Sequence, residues 1–296
     1  MNPVARDPGG RVHLTLQRDP ASGEETVALA APLFDEAWQN EIAAAAAQTA
    51  HGTLARETTL ESIVALARNA MDAADRLIAT LLARAPAGAV ACRAGCDHCC
   101  YQSVGVTPPE ALAIFDHLSR TLLDGELAQV AAHVAAHHAR TRGLSTSERF
   151  SPQHPCAFLD VTKGRCTIYD VRPLSCRGMN SLDAAGCEKR LRDPDARAAF
   201  LADGVGGRSY MEPIRTFHAI SAGLQLGVGE LHGLDMRPLD LGAVLDLLLN
   251  GPPALPDAWI AGASPFESAR GGDATDAPGL RDLSGRLDAG RGSDIV

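Results

Sequence analysis

Apolar residues recur every three or four positions at Leu60, Ile63, Ala67, Ala70, Ala74, Leu77 and Leu81, the pattern of one buried face of an α-helix. Thr58 and Glu61 are spaced as a capping box at its start. The helical pattern opens near Phe34 and ends at ARAPAGAVA, which defines a helical region over 34–90. TPPE then offers Thr107 as N-cap, Pro108 in the first turn and Glu110 at the third position, ahead of Leu112, Phe115, Leu118 and Leu122. A further helix is predicted from Glu126 to Arg142, closed by Gly143, and others over Ser181–Asp193, Met211–Gly229 and Leu239–Leu249. Two stretches alternate in the manner of strands. RVHLTLQ and TVALA flank RDPASGEE and predict a hairpin in an N-terminal extension, 1–33. CAFLDVTKGRCTIY places β-branched and aromatic residues around Lys163-Gly164 and predicts a second, small hairpin. After Gly262 large apolar residues become sparse, so 263–296 reads as a disordered tail.

The fold class that follows is mainly α: a helical domain with a loop-rich, cysteine-lined insert containing a small β-hairpin. The insert occupies 91–190, and 191–262 supply C-terminal helices.

That insert carries the chemistry. The stretch CRAGCDHCC holds Cys92, Cys96, Cys99 and Cys100, and the remaining cysteines, Cys156, Cys166, Cys176 and Cys187, follow within the same third of the chain. Structural thiols would scatter through the helices, whereas metal ligands must converge. Cys96-x2-Cys99 is a chelating spacing, with Cys92 upstream as a third ligand. Adjacent side chains diverge in most backbone conformations, so Cys99 and Cys100 are expected to serve different centres, the simplest arrangement being two metal sites or one polynuclear cluster completed by the later cysteines. Eight thiols divide into two sets of four, the ligand number of all-thiolate zinc sites and of iron–sulfur clusters. Arg93, Arg165, Arg172 and Arg177 lie close to cysteines in sequence and are candidates to balance the thiolate charge.

Composition narrows the setting. A chain of 296 residues with 46% hydrophobic positions can bury a core without disulfides. The N-terminus MNPVARDPGGRVHL lacks an apolar signal segment, which points to reduced thiols in a bacterial cytoplasm. No apolar run reaches the roughly 18 residues needed to span a bilayer. The net charge of −9 argues against general nucleic-acid binding.

CRAGCDHCC followed by PCAFL, GRCTIYDVRPLSCR and GCEKR resembles the YkgJ-like cysteine-cluster family, whose CxxCxxCC domains are described as zinc- or iron-chelating. The most specific part is Cys166-x-Ile168-Tyr169-x-x-Arg172-Pro173-x-x-Cys176-Arg177. The resemblance implies that all eight cysteines are metal-site residues. Relatives of this domain include flagellin lysine methylases, which implies that some members modify a protein substrate using an iron–sulfur cluster.

Three functional classes remain: a metal-dependent protein-modifying enzyme, a structural zinc module acting as an interaction adaptor for a protein partner, and a metal-handling or redox protein. Cys92-x3-Cys96-x2-Cys99 also has the spacing with which radical S-adenosylmethionine enzymes hold a [4Fe–4S] cluster. The strand–helix alternations are too few for their barrel, so S-adenosylmethionine enters only as the cofactor of an open-iron cluster on another fold. No catalytic residue is assigned. His98, inside the cluster, is a candidate fifth ligand or supporting residue. His133 and His137 are one helical turn apart, but a buried stripe of Leu127, Val130, Ala131 and Val134 places His138 on the inner face and leaves a solvated helix.

Overall fold

The computed structural model describes residues 14–270, except 30, 31, 87, 89, 205 and 206. It is predominantly helical, and its strands form three small antiparallel pairs among the described residues. The chain opens with β1 (Leu14–Arg18) and β2 (Glu25–Leu29), paired from Leu14↔Leu29 to Arg18↔Glu25. Helix α1 (Ala37–Leu54) follows, then α2 (Leu60–Arg84). The cap of α2 is one residue later than its sequence suggests. Thr59 accepts from the Ser62 amide while Ser62 returns the bond, and Thr58 instead donates to the Leu54 carbonyl at 3.1 Å. The buried stripe of α2 also drifts with the 3.6-residue period, so Ile78 is buried near its end and Leu77 is exposed.

β3 (Gly105–Val106) leads into α3 (Pro108–Thr121), which starts with the Thr107–Glu110 capping box and proline that the sequence predicts. Next come α4 (Asp124–Thr141) and the single turn α5 (Thr146–Arg149). The small hairpin is β4 (Leu159–Asp160) with β5 (Arg165–Cys166). α6 (Leu174–Gly178), α7 (Ala184–Arg192) and α8 (Pro194–Asp203) lead to α9 (Met211–Leu224), which passes into a π-helical stretch at Gln225–Glu230. β6 (Leu239–Asp240) pairs with β3, and α10 (Leu241–Asn250) and α11 (Leu255–Ile260) complete the helices.

The core lies where α2, α3, α9 and α10 meet, around Ile63, Leu66, Met71, Leu112, Ile114, Leu224 and Leu245. α1 lies against α9 at small-residue distance. A Cβ on Gly223 would sit 2.3 Å from the Ala43 carbonyl oxygen, and one on Gly227 would sit 2.6 Å from the Ala50 Cβ. These glycines therefore permit close helix packing.

Two expectations fail here. On α4 the buried histidine is His137 rather than His138: Ala131, Val134, His137 and Thr141 face inward, and His138 lies half-buried with Nδ1 2.8 Å from Asp246. The inner face has rotated because α10 packs on α4. The proposed tail boundary is also too early. Phe266 and Ala269 are buried in the core, and the Arg270 guanidinium pairs with Asp235, so ordered chain continues past Gly262. The rest of the predicted tail, 271–296, lies outside the described residues.

Truncation after Gly262 should accordingly lower the melting temperature, and Phe266→Ala alone should cost about 3 kcal/mol in denaturant unfolding. An unchanged midpoint for both variants would show that Phe266 contributes nothing to the core.

Candidate metal centre

All eight cysteines are free thiols, with Cys92 and Cys99 exposed and the other six half-buried. They arrive from six short pieces of chain. Cys92 and Cys96 lie on the turn after α2, where the Cys96 amide donates to the Arg93 carbonyl at 2.9 Å. Cys99 and Cys100 occupy a 3₁₀ turn, His98–Tyr101. Cys156 is fastened to that turn by its own amide, which donates to the Cys100 carbonyl at 2.7 Å. Cys166 ends β5, Cys176 lies in α6 and Cys187 in α7.

The hairpin between Cys156 and Cys166 is placed by its turn glycine. Gly164 has φ +60°, and a Cβ there would stand 2.9 Å from the carbonyl oxygen of Gly95, inside the CRAGC turn. A side chain would be strained by the backbone and blocked by the neighbouring loop, so the two cysteine-bearing turns meet backbone to backbone.

The thiols form overlapping neighbourhoods. Cys92 has Cys96, Cys99 and Cys187 as electrostatic neighbours, while Cys100 has Cys99, Cys156 and Cys176. Cys176 adds Cys156, Cys99 and Cys166. Cys99 therefore belongs to both groups. The adjacent thiols of Cys99 and Cys100 also act on one another, which lowers the Cys99 pKa and raises that of Cys100. The two residues share the 3₁₀ turn His98–Tyr101, which keeps the thiols near enough to perturb one another.

Burial pushes the Cys92 thiol up to about 11 and the Cys156 thiol up to about 12, and it raises Cys166 and Cys176 as well. The metal-free cluster is therefore held mainly as thiols. One donor opposes this at Cys92, where the Ser181 amide points at Sγ at 3.2 Å and favours the thiolate form that a metal requires. Arg190 Nη2 also points at Cys187 Sγ at 3.1 Å.

Of the arginines singled out by sequence, Arg177 is committed elsewhere. Its buried guanidinium pairs with Asp75 and donates to the carbonyls of Arg172 at 2.9 Å and Asp170 at 2.6 Å. Arg172 stacks 3.8 Å over the Tyr169 ring and exerts a favourable charge effect on Cys166 and Cys176. Arg93 and Arg165 are exposed. Arg190, which sequence reasoning passed over, makes a direct contact with a cysteine sulfur. The only signal for it was its position one turn after Cys187 on a helix. His98 has its Nδ1 3.7 Å from Asp97.

The donor chemistry suits a thiophilic metal. The sulfurs are neighbours rather than a closed ligand shell: among the described residues no three His, Cys, Asp or Glu are disposed to hold one ion. Binding must draw them together. Also among the described residues, no helix is long and apolar enough to cross a membrane.

A scan of protein families matches residues 91–190 to the CxxCxxCC family, described as a "Putative zinc- or iron-chelating domain". This is the family that the cysteine spacing resembles. No curated protein and no solved structure matches the chain.

The raised thiols set a pH dependence. In the metal-free protein, burial stabilises the neutral thiols, so their contribution is complete below the unfolded thiol value. It is lost between about pH 9 and 12 as the unfolded chain ionises first. Metal-loaded protein, already deprotonated at sulfur, should resist this loss. Chemical unfolding across that range checks the difference, and identical profiles with and without metal would count against sulfur ligation.

Proposed function

With residues 91–190 matching the CxxCxxCC family, we propose that the chain binds an iron–sulfur or zinc centre of more than one metal ion through Cys92, Cys96, Cys99, Cys100, Cys156, Cys166, Cys176 and Cys187. The observation that carries this reading is the position of Cys99, whose charge acts on Cys92, Cys100 and Cys176, members of both thiol groups. A sulfur common to two ligand sets suits a bridged, polynuclear centre better than two independent mononuclear ones. The family description supports chelation of zinc or iron, and free thiols in this number support a reducing compartment, which we assign to the cytoplasm. Among the three classes, an enzyme that modifies a protein substrate fits a centre whose Cys92 and Cys99 are exposed, because solvent-facing sulfur leaves an approach open.

Anaerobic purification from iron- and zinc-replete medium, with iron, zinc and acid-labile sulfide measured per chain, tests the assignment. More than one metal ion per chain is expected. Cys99→Ser should lower the content by more than one ion, since serine is a poor ligand for either metal and the bridging sulfur is lost. Cys187→Ser, at the edge of one group, should lower it less. Metal-free protein under these conditions would overturn the reading, and loss of a single ion in Cys99→Ser would replace the bridged centre by separate ones.

A further inference from the structure

The cysteine sulfurs are not disposed as a closed ligand shell among the described residues, so metal binding must displace some of them. The contacts around each cysteine decide which can move. Cys176 is held on both sides. The Leu174 amide donates to Glu110 Oε1 on α3 at 2.8 Å, the Ser175 hydroxyl donates to the Gly105 carbonyl on β3 at 3.2 Å, and Arg177 pairs with Asp75 on α2. Three neighbours of one cysteine are thereby tied to three different elements of the scaffold. Two of the groups involved are buried, Glu110 at 3% exposed and Arg177 at 5%. A buried charged group that loses its partner stays desolvated, which makes these ties costly to open. Cys156 and Cys166 add to this fixed side, since both pack directly against the main hydrophobic core.

Cys92, Cys96 and Cys187 are attached differently. Residues 92–95 are four consecutive exposed positions. Their turn closes on itself through the Cys96 amide and the Arg93 carbonyl. It reaches outward to Ser181, whose carbonyl accepts from the Ala91 amide at 2.8 Å and whose amide donates to Cys92 Sγ at 3.2 Å. Ser181 belongs to the loop between α6 and α7, and Gly164, which abuts Gly95, belongs to the hairpin turn. α7, which carries Cys187, packs on the His98–Tyr101 turn and on α8, a helix with no buried residue. These three cysteines are therefore tied to loops and peripheral helices, and segments of that kind open at lower free energy than the core.

We propose, on the metal reading above, that loading is a closure: the turn 92–96 and the Cys187 end of α7 move in on Cys156, Cys166 and Cys176, which the helical scaffold holds in place before metal arrives. Cys99 and Cys100 lie at the joint. The Cys100 carbonyl accepts from the Cys156 amide on the fixed side, and their 3₁₀ turn packs against α7 on the moving side. The exposed face of 92–95 is then where metal enters and leaves.

Hydrogen exchange read by mass spectrometry tests this on the full chain, once as purified anaerobically with its metal and once after stripping by a chelator. Loading should slow exchange in peptides covering 91–97 and 184–190 by about tenfold or more, and leave those covering 156–160 and 174–178 as slow as in the stripped chain. Glu110→Gln should loosen the fixed side instead: in the stripped variant, 174–178 should exchange about tenfold faster, the scale of one hydrogen bond to a buried charged group, with 91–97 unchanged. Thr107→Val, which removes only the hydroxyl donor to Glu110, gives the same comparison should Glu110→Gln fail to fold. Equal slowing of both sides on loading, slowing confined to 174–178, or no slowing at 91–97 while metal is bound would each overturn the closure and leave the metal reading standing. Metal content measured on the same samples separates the two, because a wild-type chain purified without metal would overturn both.

Discussion

The carboxylate of Glu110 is the joint on which the cysteine region hangs. It lies fully inside the protein, where desolvation raises its pKa, and it is sustained by three donors. Oε2 accepts from the Thr107 amide at 2.8 Å and the Thr107 hydroxyl at 2.7 Å, and Oε1 accepts from the Leu174 amide at 2.8 Å. One side chain therefore caps α3 and also holds the first turn of α6, two residues before Cys176. Arg177 lends it a favourable charge and runs on to Asp75 on α2 and to the carbonyls of Asp170 and Arg172. Removing one member would leave the others buried without partners, a heavier penalty than the loss of one bond. The segment Arg172-Pro173-x-x-Cys176-Arg177 can be understood in these terms. Arg177 and Arg172 both reach Asp75 on α2, while the Arg172 charge also favours the thiolate forms of Cys166 and Cys176.

Around this joint the ligands are delivered by short turns, each pinned locally. The Cys156 amide is bonded to the Cys100 carbonyl, Gly164 abuts Gly95, and the Ala91 amide reaches Ser181, whose own amide reaches Cys92. These backbone contacts bring the cysteine-bearing turns together without a metal, while the raised pKa values of Cys92 and Cys156 keep those two thiols protonated until one binds. Such an arrangement separates two tasks. The helices and their buried polar network supply stability, and metal binding has to displace protons and draw the neighbouring thiols together.

The parts legible in sequence were those encoded by neighbours. The Thr107-Pro108-x-Glu110 start of α3, the Lys163-Gly164 turn and the confinement of eight cysteines to one third of the chain can all be read from local pattern. Long-range contacts could not. Glu110 reads as an ordinary capping residue until Leu174 is found on its other oxygen. Pairing of Gly105–Val106 with Leu239–Asp240 joins pieces too short to show alternation. Phe266 stood in a polar, glycine-rich context that resembled a tail, and its burial comes from the core beneath it. His137 and His138 differ by one residue, and only the packing of α10 decides which turns inward. Adjacent Cys99 and Cys100 share one 3₁₀ turn, which local sequence did not announce.

If the thiols are the ligands, the coordination of the bound metal must be dominated by sulfur. X-ray absorption at the metal edge of anaerobically purified protein measures this directly. A first shell of sulfur, at about 2.3 Å for zinc, is the predicted result. A shell dominated by nitrogen or oxygen, or metal that remains when the cysteines are replaced by serine, would contradict the account.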